Sequence, residues 1–450
     1  MSRRLALLLA SAAILVVASA YGCDVGHGFV KDDFVWILTS REWSGLFGAA
    51  TGFFRPIVSL TFAIDYALFG LAPLGYGLTN LALLFACTVA IADLYRALRL
   101  PAGVAAGAAL VWALNFQGIN MAVLWTSGRT ALLLTLFATM AAWAWTRGFR
   151  MTAALLATLA MWSKEEAFVL PAVLTAWSLI DRRGDEPGTF DWRRAARDTW
   201  MLWAAFALSL ALRAQSGAYT PSTAPSSYRY QFDVQTPFAN AIAYADRVGT
   251  TPVAALLLFW LAAGAPRAGF GPSSTRLALK GAVWLGLAFA PTILLPVRSS
   301  LYAVMPGVGA TLILAGLAGE LVRRAAPAAL TRATLVLLLS FGALLPAYRI
   351  RNERYVGEAR LSSAVLSELS KIADTSAGGL VVIRDVRSGR PTAEQAFGAL
   401  ADRAAALVTG GKIRAWIDPA PAELAGVAAP DLTQAIAILT VERGVVRRVQ

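Results

Sequence analysis

Histidine, cysteine and charge are all scarce in this chain. A single histidine, His27, in 450 residues cannot build a zinc site alone. The two cysteines, Cys23 and Cys87, lie far apart and supply neither a disulfide framework nor a metal motif. Charged residues make up 15% of the chain, against about 25% in ordinary soluble proteins. No internal repeat is visible. Hydrophobic sequence fills the space that charge leaves: 57% of residues are apolar and the mean hydropathy is +0.59. The expectation is a polytopic membrane protein, and hydropathy overrides the domain count that length alone suggests.

The net charge is +13, carried mostly by arginine. These positives fall in short clusters between apolar runs, the pattern of cytoplasmic loops rather than of a nucleic-acid surface. About eleven apolar segments approach the roughly 20 residues a spanning helix needs. They are 5–22, 77–98, 102–120, 129–146, 151–163, 167–181, 199–213, 251–265, 280–297, 301–319 and 331–348. The short pair 151–163 and 167–181 flanks SKEE and also reads as one re-entrant pair. The N-terminal stretch MSRRLALLLASAAILVVASAYGC has features of a signal peptide, including ASA at 18–20, but is expected to remain as the first span. With the N-terminus cytoplasmic, every dense basic cluster ahead of residue 351 falls on the cytoplasmic side: Arg96 and Arg99, Arg147 and Arg150, Arg182 to Arg197 including Arg183, Arg267 and Arg276, and Arg323 and Arg324. The C-terminus is then outside.

Two large outer loops are expected, 23–76 and 214–250. Within the first, RPIVSLTFAIDYALFG reads as an amphipathic interfacial helix. Beyond about residue 350 the composition changes. GLVVIRDV and KIRAWID read as strands, TAEQAFGALADRAAALV as a helix ending at GG, and AIAILTVERGVVRRV as a hairpin. The expected architecture is thus an all-α membrane domain over 1–350 and a small extracytoplasmic α/β domain over 351–450. The latter holds thirteen basic and eleven acidic residues, so the membrane part carries +11.

The positive-inside rule makes charges at outer helix ends informative. Asp32, Asp33, Arg55, Arg129, Lys164, Glu165, Glu166, Arg213 and Arg298 all map there, and ionisable groups at membrane depth usually face a cavity or a partner. Adjacent carboxylates such as Asp32 and Asp33 repel, so one holds its proton more tightly. They suit a general base or a divalent cation, or simply a solvated turn. Arg55, in GFFRPIV, suits bidentate phosphate binding or snorkelling. Arg129, in LWTSGRTALL, suits the same role or a buried pair with a carboxylate. Arg298 and Tyr302 repeat the theme in LPVRSSLYAVMPGVG.

The stretches KDDF (31–34), FRPIVSLTFAIDYALFGLAPLGYGLTNLALL (54–84), LWTSGRTALLLTLF (124–137), SKEEAFVLP (163–171) and LPVRSSLYAVMPGVG (295–309), in this order, resemble the C-type (GT-C) integral membrane glycosyltransferases. The likeness is nearest to protein O-mannosyltransferases, above all those with tetratricopeptide repeats, which are absent here. Similar members often carry histidine where this chain has Gly77. The resemblance implies an inverting transfer of mannose or a similar sugar from a polyprenyl-phosphate donor to a protein or glycan hydroxyl on the outer face. It implies Asp32 or Asp33 as base and Arg55, Arg129, Lys164 and Arg298 as donor-phosphate ligands, supported by Glu165, Tyr302 and Arg213. A magnesium or manganese ion on Asp32, Asp33 and Glu165 stays open, because no ligand spacing demands one. The arginine-rich composition points to a bacterial inner membrane. A lipid-linked sugar transporter and a noncatalytic scaffold are the alternative readings.

Overall fold

The computed structural model describes residues 3–41, 45–49, 52–182, 192–220, 222–264, 271–424 and 427–449. Arg183 and Arg267, placed above in cytoplasmic clusters, lie outside the described residues. The chain opens with α1 (Arg3–Tyr21), and α2 (Asp33–Ser40) and α3 (Pro56–Phe69) follow in the segment 23–76, expected above as the first outer loop. Then come α4 (Pro73–Ala97), α5 (Ala102–Ala113), α6 (Ile119–Leu124), α7 (Arg129–Thr146) and α8 (Arg150–Met161). Next are α9 (Leu170–Arg182), α10 (Trp192–Gln215), α11 (Gln235–Ala262), α12 (Pro272–Phe289) and α13 (Val304–Arg324). Finally α14 (Pro327–Ala343) leads into α15 (Leu345–Thr375).

Each expected apolar segment falls on one of these helices, but fewer pass as membrane spans by length and composition. Among the described residues, α4, α11 and the stretch Ser300–Arg324 that contains α13 are each long and apolar enough to cross. The pair α14 and α15, bent by 42°, passes the test jointly. This falls short of about eleven crossings because several segments are broken. In the segment 102–120, Asn115 turns the chain: its side chain accepts from the Gln117 amide at 3.2 Å and donates to Arg247 O at 2.7 Å. What remains, α5, is 12 residues long. At 1.5 Å per residue that is about 18 Å, against about 30 Å of hydrocarbon.

The helical core is organised around α13, which is mostly buried. Side chains from three other helices donate to carbonyls in its first turns: Trp112 Nε1 to Val304 O at 2.9 Å, Trp284 Nε1 to Met305 O at 2.9 Å and Tyr95 Oη to Val308 O at 2.6 Å. Buried indole and phenol donors need such partners. Glycines let α12 and α13 touch. A Cβ added at Gly281 would lie 2.6 Å from Gly309 O, and one at Gly309 would lie 2.6 Å from Gly281 O. Small residues allow this close approach between packed helices.

The C-terminal layer has the expected strands: β1 (Gly379–Asp385), β2 (Ile413–Asp418), β3 (Ala435–Glu442) and β4 (Val445–Arg448), ordered β2-β1-β3-β4. β1 is parallel to both β2 and β3, and β3 pairs antiparallel with β4. Alternating burial in β2 and β3 reflects the period-2 pattern of the sequence. The single helix expected over 392–408 is two, α16 (Ala393–Phe397) and α17 (Ala401–Thr409). Gly398 separates them, with φ +52 and ψ −136, outside the helical region. The expected boundary at residue 350 falls inside α15, which runs unbroken from the helical bundle into this layer. One hydrophobic core joins Phe34, Trp36 and Phe62 of the first outer loop to Leu369, Phe397 and Leu439 of the layer.

The helix contact at Gly281 yields a direct test. Gly281→Val is expected to lower stability by about 1–3 kcal/mol through overpacking, read as a fall in thermal midpoint of the protein in lipid nanodiscs. Gly286→Val, where an added Cβ meets nothing within 4 Å, should leave the midpoint nearly unchanged.

Candidate active site

The outer-end charges converge on one cavity of about 630 Å³. Asp32, Arg55, Lys164, Glu165, Arg213, Arg298 and Tyr302 line it, together with Glu166. Of the residues singled out in the sequence, Asp33 and Arg129 are the two that do not.

The adjacent aspartates have separate roles. Lys31 adopts φ +50, and the chain then turns into α2. Asp33, at the first position of α2, is fully buried. One carboxylate oxygen accepts from the Val30 amide at 2.9 Å. The other accepts from the Ser127 amide at 2.7 Å and from the Ser127 hydroxyl. It thereby fastens the loop to the turn ahead of α7. Burial raises its pKa to about 7, against the pull of the Ser127 and Val30 hydrogen bonds. Asp32 faces the cavity with its side chain accessible from the lumen. Enclosure by protein raises its pKa above the ordinary aspartate value, while Arg55 and Lys31 pull it down.

Arg129 corrects the sequence reading. Its side chain has no exposed surface. Nη1 pairs with Asp65 Oδ2 at 2.7 Å, Nε donates to Asn80 Oδ1 at 3.1 Å, and Nη2 donates to Tyr76 O at 3.2 Å. The guanidinium also stacks over Phe62 at 4.4 Å. Its donors are committed inside the protein, so it is not a phosphate ligand. Asp65, read as part of an interfacial helix, is the buried partner.

The cavity cations differ in how far they are committed. Arg55 grips Glu165 with Nε at 3.1 Å and Nη2 at 2.6 Å. Arg213 Nη1 holds the other Glu165 oxygen at 2.8 Å. Lys164 pairs with Glu166 at 2.6 Å and sits 4.8 Å from the Tyr302 ring centroid. Arg298 is tethered through Nε to Asn240 Oδ1 at 2.9 Å. Its Nη groups have no carboxylate partner within ion-pair distance among the described residues. Four cations therefore face three carboxylates, leaving an anion-attracting lumen.

The second outer loop supplies part of the wall. Tyr219 rests on Gly52, where an added Cβ would lie 1.9 Å from the ring, and its amide donates to Gly52 O at 2.8 Å. Phe53 meets Tyr219 and Tyr228 edge to face at 5.6 and 5.4 Å. Burial and the Asp32 charge push the Tyr228 phenol up to about 12. Ser127, Asn240, Tyr219 and Tyr228 were not singled out from sequence. The only signals were the TSG before Arg129 and the density of tyrosines in 214–250.

The carboxylates do not fit a metal centre. Among the described residues no three His, Cys, Asp or Glu side chains converge as donors. Both Glu165 oxygens are held by arginines, and those of Asp33 by Val30 and Ser127. At Gly77, where the resemblance has histidine, an added Cβ would lie 2.8 Å from the Val25 side chain. A side chain there would require the Val25–Gly26 segment to shift.

No protein-family description matches the chain, and no curated protein matches it in sequence. Solved structures do match in fold. The chain has the fold of the GT-C membrane glycosyltransferases. The structure of ArnT from Cupriavidus metallidurans bound to undecaprenyl phosphate aligns with a TM-score of 0.54 at 14% identity, covering 98% of this chain and 94% of that one. Its apo state aligns with a TM-score of 0.50, covering 97% and 92%. A mycobacterial arabinofuranosyltransferase, AftD, gives a TM-score of 0.44 at 17% identity, covering 85% of this chain and 29% of that one. The nearer likeness to O-mannosyltransferases rests on the sequence motifs alone.

Two arginines at outer helix ends are thus expected to behave differently. Arg129→Gln leaves Asp65 buried without its charge partner and should cost about 3–5 kcal/mol, measured as a large fall in thermal midpoint. Arg298→Gln removes a side chain whose Nη groups have no carboxylate partner among the described residues, and should leave the midpoint nearly unchanged.

Proposed function

We propose that the protein is a membrane-embedded glycosyltransferase that takes a sugar from a polyprenyl-phosphate donor to an acceptor hydroxyl outside the membrane. The observation that carries this reading is the meeting of a lumen-facing carboxylate, Asp32, with Lys164 and the carboxylate-free Nη groups of Arg298 in one cavity at the outer helix ends. The undecaprenyl phosphate bound to ArnT supports a lipid phosphate as the carrier.

Asp32 takes the proton of the acceptor hydroxyl. The oxygen attacks the anomeric carbon from the face opposite the phosphate, the bond to the phosphate oxygen breaks, and polyprenyl phosphate leaves with inversion. Charge develops on the leaving phosphate, where Arg298 and Lys164 stabilise it. Arg55 lies within the same cluster, braced by Glu165. Asp33 holds the loop and does not meet the substrate. Mannose or a similar sugar is the donor class in this proposal, and a protein or glycan is the acceptor. The N-terminus lies in the cytoplasm and the C-terminal layer outside a bacterial inner membrane. No step is routed through a cation.

The test is transfer by purified protein in lipid, supplied with radiolabelled polyprenyl-phosphate sugars and a periplasmic extract. Asp32→Asn is expected to lower transfer by about 10²–10⁴, the scale of a general base, with an unchanged thermal midpoint and intact undecaprenyl phosphate binding. Asp33→Asn should instead lower the midpoint by an amount matching about 1–3 kcal/mol, since it disturbs buried hydrogen bonds. Full transfer by Asp32→Asn would overturn the assignment of the base.

A further inference from the structure

The segment that carries Asp32 is held from two sides. On the bundle side Asp33 is fastened to Ser127, and Trp125 Nε1 donates to Val30 O at 3.4 Å. On the other side every grip comes from α15 and the C-terminal layer. The Lys31 amide donates to Ala396 O at 3.0 Å. The Phe34 ring stacks on Phe397 with centroids 5.7 Å apart and planes 19° from parallel. Lys31 Nζ lies 3.7 Å from Glu358 Oε2. Ser363 Oγ donates to His27 O at 2.8 Å, and Arg41 donates to Leu407 O at 3.1 Å. Asp32 itself has no side-chain hydrogen bond among the described residues, so its position follows from its neighbours on both sides.

We propose that the C-terminal α/β layer is a working part of the active site, with Phe397 and the Lys31–Glu358 pair as positioning residues that set the place and charge environment of Asp32. These contacts give the layer a role in the chemical step. Phe397 is fully buried against α2. Lys31 is the turning residue: its left-handed backbone redirects the chain, its amide is tied to α16, and its ammonium approaches Glu358 while its charge acts on Asp32. Glu358, buried on α15, is shared between Lys31 at 3.7 Å and Arg354 at 3.9 Å.

The groups facing Asp32 are Lys31 and Asp33 on its own segment, Arg55 at the start of α3 and Tyr228 of the second outer loop. Burial favours the acid, whereas Arg55 and Lys31 favour the carboxylate. A base works when deprotonated, so activity falls as pH drops through its pKa. Removing the Lys31 charge raises that pKa and moves the acid limb of the pH–rate profile to higher pH.

This inference rests on Asp32 as the base, and the experiment separates the two. Full-length wild type, Asp32→Asn, Phe397→Ala, Lys31→Met and the edge-strand control Val445→Ser are compared in nanodiscs. Transfer is measured across pH, undecaprenyl phosphate serves as the binding probe, and amide exchange is followed over residues 29–38. Phe397→Ala is expected to lower kcat at least tenfold, keep probe affinity within twofold and speed exchange at Phe34 to Trp36. Lys31→Met, which leaves the stacked rings in place, should shift the acid limb upward by at least half a pH unit with the same probe affinity. Val445→Ser should match wild type. If Asp32→Asn is inactive while Phe397→Ala and Lys31→Met keep wild-type kcat and pH profile, the layer is a passenger and this proposal fails while the base stands. If Asp32→Asn is active, both fail. If Phe397→Ala does not fold, the Lys31→Met profile decides alone.

Discussion

The buried pair of Arg129 and Asp65 is the fixed point of the outer half of this molecule. A guanidinium and a carboxylate without exposed surface are stable only when every donor and acceptor around them is matched. Here Asn80, Tyr76 and the Thr126 carbonyl accept from the guanidinium, and Thr79 donates to Asp65. Asp65 lies on α3 and its neighbours on α4 and the turn before α7, so one charge pair locks three elements. The same turn presents Ser127 to Asp33. The position of the proposed base thus descends from an ion pair that never meets a substrate.

Beyond that fixed point, charge is graded by how firmly it is held. Arg129 is wholly committed, Arg55 and Arg213 share Glu165, Lys164 has Glu166, and Arg298 keeps its Nη groups clear of carboxylates. An incoming anion meets the least committed cation at the least energetic cost, because it need not break an existing pair. The aromatic contacts among Phe53, Tyr219 and Tyr228 close the wall above these groups. They join the two loops at Gly52.

Much of this was legible in the sequence, and the limits have physical causes. Helices and strands followed from apolar periodicity, and the gathering of Asp32, Arg55, Lys164, Glu165, Arg213 and Arg298 in one cavity followed from their shared position at one set of helix ends. The motif order pointed to the GT-C fold. Which of Asp32 and Asp33 faces the cavity was not legible, because adjacent residues on a helical turn point about 100° apart and only the Ser127 contact selects between them. Arg129 read equally as ligand or buried pair, since Asp65 lies far away along the chain. The break at Gly398 was hidden because a helix tolerates a single glycine at a cost of only about 1 kcal/mol. The division at residue 350 was drawn from composition, which changes there although the helix does not.

That unbroken helix makes the molecule a matter of phase. One end of α15 is keyed to the bundle: Tyr348 donates to Leu114 O, and Asn352 holds Ala20 O at 2.7 Å and Asp24 at 2.8 Å. Farther along, Val365, Leu369 and Ile372 are buried in the core shared with the layer. A helix of this kind behaves as a shaft. Each residue added between the two ends turns the far end by about 100° and advances it 1.5 Å. One inserted alanine near Val356 would turn the layer by about 100° around the shaft and pull Phe397 and Leu439 away from Phe34 and Trp36. The number of residues between the two keyed ends of α15 therefore sets the angle at which the layer meets the segment that carries the carboxylate.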